Sequence, residues 1–235
     1  MKIVALLTGR GNNTLGNKNI LEVCGKPLLA YPAEAAKRSK NISEFFVSSD
    51  DEKILSVAYE RGYKKIKRPP ELGQADSKHI DAILHSLNVM KKEGIYPTIL
   101  VVLLANTVCV KPEWIDQCIQ DIIDNPSISA IVPVVSDSDH HPYRAKRMGE
   151  DGFLEPFFDF ADREISSNRQ ELGDCFFLCH NFWVLNVKES IYSGKGKPPW
   201  KFMGDSVRPF EVEHSIDVHT EEDLLRSEQW IKANY

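Results

Sequence analysis

Apolar residues follow two different spacings along the first half of the chain. Continuous apolar runs are typical of buried strands, and apolar residues at i, i+3, i+4 and i+7 are typical of amphipathic helices. The continuous runs predict strands at 2–8, 44–48, 98–104 and 129–135. The helical spacing predicts helices at 27–39, 51–62, 78–93 and 114–122.

The helix at 78–93 has the clearest pattern, carried by Ile80, Ile83, Leu84, Leu87 and Met90. Strands separated by such helices form βαβ units, which build a parallel sheet covered by helices. The sequence therefore predicts a Rossmann-like α/β fold. Ligands of these sheets bind beyond the carboxyl ends of the strands, and the segments there are 9–19, 48–51, 105–111 and 136–142.

The pattern changes in the second half of the chain. Residues 142–174 contain clustered phenylalanines among charged residues, which predicts an excursion from the main sheet rather than another βαβ unit. A β pattern returns at 176–185. The last helix is predicted to begin after Thr220, with Asp223 three residues later completing a capping-box-like start.

The composition is that of an ordinary globular protein, with 42% hydrophobic and 27% charged residues in 235. This length suits one sizeable α/β domain. The net charge of −5 provides no protein-wide positive field, which disfavours nucleic acids and anionic membranes as partners. No stretch of 18 apolar residues occurs and the opening apolar run is short for a signal peptide, so we expect a soluble, cytoplasmic protein.

The chain contains five cysteines, Cys24, Cys109, Cys118, Cys175 and Cys179. Their odd number and irregular spacing favour buried thiols in a reducing compartment over a disulfide framework. Cys175, Cys179 and His180 suggest a zinc cluster as an alternative, but no second ligand pair has a matching spacing. Buried thiols are the favoured interpretation.

The loop at 9–19, directly after the first predicted strand, contains three glycines, Arg10 and Lys18. Glycines let backbone N–H groups approach an anion, and the two cations suit phosphate oxygens. The loop departs from the dinucleotide fingerprint because Thr14 replaces the third glycine. It departs from the P-loop because Asn17 follows Gly16, where a lysine is required. A polar surface loop with basic residues is therefore an equally good interpretation of this segment alone.

Several short motifs follow one another along the chain. The first are Gly9-Arg10-Gly11, Lys18-Asn19-Ile20 and Gly25-Lys26-Pro27-Leu28-Leu29-Ala30-Tyr31. They continue with Val47-Ser48-Ser49-Asp50-Asp51, Arg68-Pro69-Pro70-Glu71-Leu72, His85, Leu103-Leu104-Ala105-Asn106-Thr107, His141-Pro142-Tyr143-Arg144, Arg169-Gln170, Ile216-Asp217 and Glu222-Asp223-Leu224. In order and spacing this series resembles the acylneuraminate cytidylyltransferases, the CMP-sialic acid synthetases, over nearly the whole chain.

The resemblance implies a nucleotide-diphospho-sugar transferase fold with a mixed, mostly parallel sheet. It implies one domain over 1–235, with 142–174 as a dimerisation subdomain of a homodimer. In that family the anomeric hydroxyl of an acidic sugar attacks the α-phosphorus of CTP and releases pyrophosphate. The aromatic residues of 153–160 suit such an interface, and they equally suit the core of the excursion.

The resemblance also implies roles for individual residues. Arg10 and Lys18 match the catalytic cations that hold the triphosphate. The residues implied to bind the nucleotide are Arg10, Gly11, Asn12, Asn19, Arg68 and His79. Arg68 is alternatively a surface charge of the basic run 64–68, although the two prolines after it favour a functional turn.

On the acceptor side, Asp217 matches a carboxylate that binds Mg²⁺, and its alternative is an aspartate near a helix start. Arg169 and Gln170 match contacts to the acid sugar, with a salt bridge as the equal alternative for Arg169. Thr107 is the further substrate-binding residue that the resemblance implies.

This sequence departs from the family in the same region. Ser215 stands in place of one metal-binding carboxylate. Water, or another carboxylate such as Asp50 or Asp51 if these lie close, is expected to take over as the missing ligand. Ala105-Asn106 replaces the Gln-Pro that follows the central strand, and the first loop lacks one cation. His180, Asn181 and Trp183 replace an Asn-Gly pair, so His180 and Asn181 are candidates for contacting a different acceptor, with Trp183 favoured as a core residue.

Two other functions stay open. One is a glycosyltransferase that uses a nucleotide sugar, for which Asp137-Ser138-Asp139 imitates the metal-binding Asp-x-Asp motif. The other is a degenerate, non-catalytic nucleotide-binding protein that has lost a metal ligand. Release of pyrophosphate from CTP distinguishes the predicted cytidylyltransferase from both.

Overall fold

The computed structural model describes residues 1–11, 13, 15–161 and 163–235. Within these residues the strands are β1 (Ile3–Thr8), β2 (Glu22–Val23), β3 (Lys26–Pro27), β4 (Glu44–Ser49), β5 (Lys64–Lys67), β6 (Ile99–Leu104), β7 (Ala130–Ser136), β8 (Lys146–Met148), β9 (Leu154–Pro156), β10 (Phe176–Leu178), β11 (Phe182–Asn186) and β12 (Val207–Glu211). The α-helices are α1 (Ala30–Arg38), α2 (Glu52–Tyr59), α3 (His79–Lys92), α4 (Pro112–Asp124) and α5 (Glu221–Asn234).

The main sheet is centred on β1, which runs parallel to both of its neighbours, β4 and β6. β5 extends the parallel part beyond β4. On the other side, β11 runs antiparallel between β6 and β7, and β7 also pairs with β10 and β12. The sheet is mixed and mostly parallel, as predicted. The loops after β1, β4 and β6 therefore meet at one edge.

Helices cover both faces of the sheet because side chains alternate along each strand. Leu7 and Leu103 pack into one apolar cluster with α1, α2 and α4. Leu6, Val102 and Trp183 pack on the opposite face with α3. The four strands predicted in the first half, and the helix predicted at 78–93, are confirmed to within one residue at each end.

The helix predicted at 27–39 is shorter than expected and begins at Ala30. Lys26 and Pro27 instead form β3, which pairs with β2 across a tight turn. The turn is made by Cys24 and Gly25, both of which have positive φ angles. Proline disfavours helical geometry in the residue before it and cannot donate a backbone hydrogen bond, so the helix starts only after the hairpin.

The β pattern at 176–185 forms two strands rather than one. The chain leaves regular pairing between β10 and β11, where the fully buried Asn181 donates from Nδ2 to the Cys109 carbonyl at 2.6 Å. Between the two strands the Cys179 N–H donates to the Pro133 carbonyl of β7 at 2.8 Å, and Pro133, which has no N–H, cannot donate in return. β10 pairs with β7, whereas β11 lies between β6 and β7.

The last helix, α5, has the predicted capping box. Thr220 Oγ1 accepts from the Asp223 backbone N–H at 3.3 Å, and Asp223 Oδ2 accepts from the Thr220 backbone N–H at 3.0 Å. Within the part of the chain that the structure describes, none of the helices combines the length and the apolar character needed to cross a bilayer.

The excursion at 142–174 forms a small antiparallel pair, β8 and β9, flanked by short 3-10 turns. Tyr143, Phe158 and Phe160 pack edge to face and tilted against one another, with ring centroids 5.4–6.5 Å apart. Phe153 and Leu154 remain 72% and 69% exposed. The segment therefore presents an apolar surface that its own residues leave uncovered.

Candidate active site

A cavity of about 320 Å³ opens at the carboxyl ends of β1 and β6. This is the edge of the sheet at which the topology predicts a ligand. The residues expected from the sequence that line it are Arg10, Lys18, Asn19, Arg68 and His79. Gly11 lies in the same loop, and Asn12 lies outside the described residues.

Lys18 lies at the start of a 3-10 turn, Lys18–Ile20, and its side chain is only 6% exposed. Its ammonium donates to the backbone oxygen of Val218 at 2.8 Å. Burial lowers the pKa of Lys18, and the negative charge of Asp217 opposes that shift. The cation is thus held against the segment that precedes α5, with its head group at the cavity wall.

The loop after β1 is held by bonds to its backbone. Asn19 Nδ2 donates to the Arg10 carbonyl at 3.0 Å, and the Gly11 N–H donates to Asp50 Oδ1 at 3.1 Å. A Cβ on Gly11 would lie 2.8 Å from the Asp51 Cβ, so the approach requires glycine. The Arg10 guanidinium crosses the cavity mouth and donates to the Gln74 carbonyl at 2.9 Å.

Arg68 is a buried cation, 6% exposed, and not part of a solvated basic surface. Its guanidinium donates to the Ser48 carbonyl at 2.9 Å and to Ser48 Oγ at 3.3 Å. Burial lowers the pKa of Arg68, whereas the charge of Asp50 raises it. Arg68 and Asp50 therefore join the ends of β4 and β5 to the loop that holds Arg10.

His79 is the first residue of α3 and forms part of the cavity floor. Its Nε2 lies 3.0 Å from Thr8 Oγ1, and its ring packs on Trp183 with centroids 5.1 Å apart. Burial, with smaller contributions from Arg68 and His180, lowers the pKa of His79 to about 3. The imidazole is therefore neutral at physiological pH and offers a hydrogen-bonding edge without charge.

The lowered pKa of His79 predicts acid sensitivity. An unfolded His79 binds a proton below its ordinary pKa of 6.5, whereas the folded one does so only near 3. Stability is therefore lost as the pH falls below 6.5, by about 2 kcal/mol at pH 5. Urea denaturation at pH 7.5 and pH 5 gives the drop in the free energy of unfolding between these two values. We expect this drop to be about 2 kcal/mol smaller in His79→Gln than in the parent protein. Equal losses in the two proteins would contradict this origin.

Asp217 is not among the residues that line the cavity, but both of its carboxylate oxygens contact residues that do. Oδ1 accepts from the amide of Asn106, and Oδ2 lies 3.1 Å from His219 Nε2. Asn106 and His219 both line the cavity, and sequence reasoning missed them as site residues. Asn106 falls in the segment after β6 that the strand pattern marked. The position of His219 depends on tertiary contacts, and no sequence pattern signals it.

The carboxylates expected to replace the one missing at Ser215 have other bonds. Asp51 caps α2 by accepting from the Lys53 N–H at 2.7 Å, and Asp50 accepts from Gly11. Ser215 Oγ donates to Asn181 Oδ1 at 2.5 Å, away from the cavity lining. Among the described residues no group of three or more His, Cys, Asp or Glu side chains is placed to hold a metal ion. Asp217, through its contacts with Asn106 and His219, therefore lies next to the cavity, whereas Asp50, Asp51 and Ser215 have other partners.

The residues expected to contact the acceptor are dispersed. Thr107 and Asn181 are fully buried, and Thr107 Oγ1 accepts from the Cys109 N–H at 3.2 Å, so their polar groups are bonded inside the core. Arg169 and Gln170 lie on an exposed 3-10 turn, where Arg169 pairs with Asp139. The half-buried His180 packs its ring on Trp183 and Trp200 at 5.9 and 6.1 Å. The cavity lining includes none of these described side chains.

The Asp137-Ser138-Asp139 segment forms a local turn. Asp137 Oδ1 accepts from the backbone N–H groups of Asp139 and His140 at 2.9 and 3.0 Å. Its second oxygen lies 2.8 Å from His140 Nδ1. Asp139 is paired with Arg169. Both carboxylates therefore support this turn.

Known proteins resemble the chain in sequence and fold. It is 23% identical over 230 residues to N-acylneuraminate cytidylyltransferase of Streptococcus agalactiae, covering 96% of this chain and 52% of that protein. It is 23% identical over 190 residues to pseudaminic acid cytidylyltransferase of Campylobacter jejuni, covering 78% and 81%. The chain thus spans about half the length of the streptococcal relative.

Among solved structures, a CMP:2-keto-3-deoxy-manno-octonic acid synthetase complexed with CTP has the same fold. It superposes over the full length of both chains with a TM-score of 0.72 at 17% sequence identity. The family model described as cytidylyltransferase matches residues 10–148, which include the loop after β1 and the strand β6. That match covers more than half of the 235 residues, and the chain belongs to the cytidylyltransferase family.

Proposed function

We propose that the protein transfers CMP from CTP to a carboxylated sugar. The observation that carries the proposal is the gathering of Arg10, Lys18, Asn19 and Arg68 around one cavity at the carboxyl end of β1. An acceptor hydroxyl oxygen attacks the α-phosphorus, the bond from that phosphorus to the bridging oxygen breaks, and pyrophosphate leaves with the electron pair. The acceptor proton passes to solvent or to a base.

The cations of the cavity suit a triphosphate. Arg10 offers two parallel donors and Lys18 a single mobile charge, a combination that stabilises negative charge on phosphoryl oxygens. Gly11 is not among the residues that line the cavity, and its N–H is bonded to Asp50. His79 lies below this group and is uncharged, so it suits the nucleoside better than the phosphates.

Mg²⁺ is part of the proposal. Asp217 provides hard oxygen donors next to the cavity, and Mg²⁺ commonly needs only one or two carboxylates because substrate phosphates and water complete its shell. The residues present therefore fit the ion. When bound, it would neutralise triphosphate charge, while Asn106 and His219 orient the Asp217 carboxylate.

Replacing Asp217 by asparagine should raise the Mg²⁺ concentration for half-maximal activity at least about tenfold. The neutral amide retains the size of the side chain but loses the charge. The assay is pyrophosphate release titrated with MgCl₂. Glu213→Gln is the matched control, since Glu213 is exposed and lies outside this cavity. An unchanged titration for Asp217→Asn would exclude the aspartate as a ligand.

The acceptor class rests on the relatives. The named relatives act on N-acylneuraminate and pseudaminic acid, which are acidic sugars. Pyrophosphate release should be measured with CTP, UTP, ATP and GTP against a panel of nonulosonic and related acids, with and without Mg²⁺. We expect release that requires CTP, an acid acceptor and Mg²⁺. CTP binding without release for any acceptor would support a degenerate binding protein, and consumption of a sugar nucleotide would support a glycosyltransferase.

We also propose a homodimer formed through the excursion at 142–174. Phe153, Leu154 and Phe157 are 72%, 69% and 54% exposed, and such apolar groups are expected to be covered. Leu154→Glu combined with Phe157→Glu should convert a dimer into a monomer in light scattering. Tyr192→Glu, at an isolated tyrosine that is 62% exposed, is the control and should leave the dimer intact. A parent protein that is monomeric at micromolar concentration would contradict the proposal.

A further inference from the structure

His219 lies between two opposite charges at the rim of the cavity. Its Nε2 is 3.1 Å from Asp217 Oδ2, and its Nδ1 is 3.4 Å from Lys18 Nζ. Lys18 also donates to the Val218 carbonyl at 2.8 Å. None of the ion pairs formed among the described residues joins Lys18 directly to Asp217. The His219 imidazole thus lies between the Lys18 ammonium and the Asp217 carboxylate, where a direct ion pair would otherwise form.

The partners of His219 fix which nitrogen carries the proton. An ammonium group only donates, so Nδ1 must accept from Lys18. The hydrogen is then on Nε2, which lies 3.1 Å from the Asp217 carboxylate. The ring therefore lies between the cation and the anion and contacts both of them.

The backbone at His219 is fixed by the start of α5. The His219 N–H donates to Asp223 Oδ2 at 3.0 Å, and the same oxygen accepts from the Thr220 N–H and hydroxyl. The side chain itself is 60% exposed, so apolar packing does little to hold it. Its placement depends on the capping box below it and on the two polar partners.

We propose that His219 is a positioning residue that keeps Lys18 and Asp217 apart, so that each stays available to the nucleotide. This inference rests on the proposed binding of CTP. Without the bridge, the long Lys18 side chain reaches the carboxylate and forms a direct ion pair. Lys18 is then withdrawn from the phosphates, and Asp217 from any cation.

Two replacements at position 219 distinguish the loss of the polar contacts to Lys18 and Asp217 from a change in side-chain size. Phenylalanine at 219 keeps a ring of similar size but neither donates nor accepts. Glutamine keeps one donor and one acceptor and carries no charge at any pH. His214→Phe is the matched control, since His214 is exposed in the same segment and lies outside this cavity.

The first measurement is CTP binding by calorimetry in EDTA without acceptor, which isolates Lys18 from metal effects. We expect His219→Phe to weaken binding about tenfold, and His219→Gln and His214→Phe to stay within about threefold. In an Asp217→Asn background the anion is absent, so His219→Phe should weaken CTP binding by less than about twofold. Equal losses for Phe and Gln, or an equal loss in the Asn background, would overturn the proposal because they indicate a merely structural role.

The second measurement does not depend on the nucleotide. A crystal structure of ligand-free His219→Phe should show Lys18 Nζ within about 4 Å of the Asp217 carboxylate, an ion-pair distance. Lys18 still directed to Val218 would overturn the inference. If the parent protein binds no CTP while this new ion pair forms, the proposed function fails and the separation of the two charges stands.

Discussion

Replacing Lys18 by methionine should lower kcat/KM for CMP transfer about 10³-fold, equivalent to about 4 kcal/mol of transition-state stabilisation. Methionine keeps most of the apolar stem of the side chain and removes the charge together with the donor to the Val218 carbonyl. The loss is large because Lys18 is buried at the cavity wall, where a charge interacts strongly with phosphoryl oxygens. Initial rates of pyrophosphate release measure it.

The matched control for Lys18→Met is Lys92→Met, at the exposed end of α3. That variant should retain kcat/KM within about twofold, because surface changes away from such sites have small effects. Thermal unfolding of both variants checks that the fold is retained. If the folded Lys18→Met protein loses less than tenfold in kcat/KM, Lys18 does not stabilise the transition state.

Replacing Arg68 by methionine should lower the free energy of unfolding by about 3 kcal/mol. The change removes the charged donors to Ser48 and leaves Asp50 without its neighbouring cation. In a chain of this length the same loss lowers Tm by about 6–12 °C. Lysine at 68 should restore little of it, since an ammonium cannot reproduce the guanidinium fork.

Urea denaturation tests the Arg68 prediction. Arg208→Met is the control, because Arg208 is half-exposed and its nearest carboxylate, on Asp121, is 3.9 Å away; it should cost less than about 0.5 kcal/mol. In an Asp50→Asn background the cost of Arg68→Met should be smaller, since no unpaired carboxylate is left behind. Additive costs would mean that the two residues stabilise the fold independently.

The parts of the fold that sequence predicted well depend on local periodicity. The runs that form β1, β6 and β7 are almost entirely apolar, and β4 has an apolar centre of Phe45, Phe46 and Val47, so their assignment as strands needed no tertiary information. The start of α1 was wrong because its apolar residues continue into the hairpin formed by β2 and β3. The break between β10 and β11 was missed because it lies beside Pro133 of β7, a pairing partner that is far away in sequence.

The candidate site likewise contains residues whose position the sequence predicted and residues whose position it did not. Arg10, Lys18 and Asn19 lie in one loop after β1, so the parallel topology sufficed to bring them to the cavity. Thr107 and Asn181 follow or precede strands at the same edge, but their side chains point into the core. Around a strand end a shift of one residue reverses the direction of a side chain, and sequence does not resolve it. The roles of Asn12, Arg169 and Gln170 stay predictions.

The bond between Lys18 and Val218 links positions 200 residues apart. At a synthesis rate of about 5–20 residues per second, a ribosome needs about 10–40 s to make the intervening chain. The strands β2 to β12 are synthesised within this interval, and the lysine gains its partner only at the end of it. Under the proposed function, a nucleotide can therefore contact Lys18 in its native position only after translation has passed Val218.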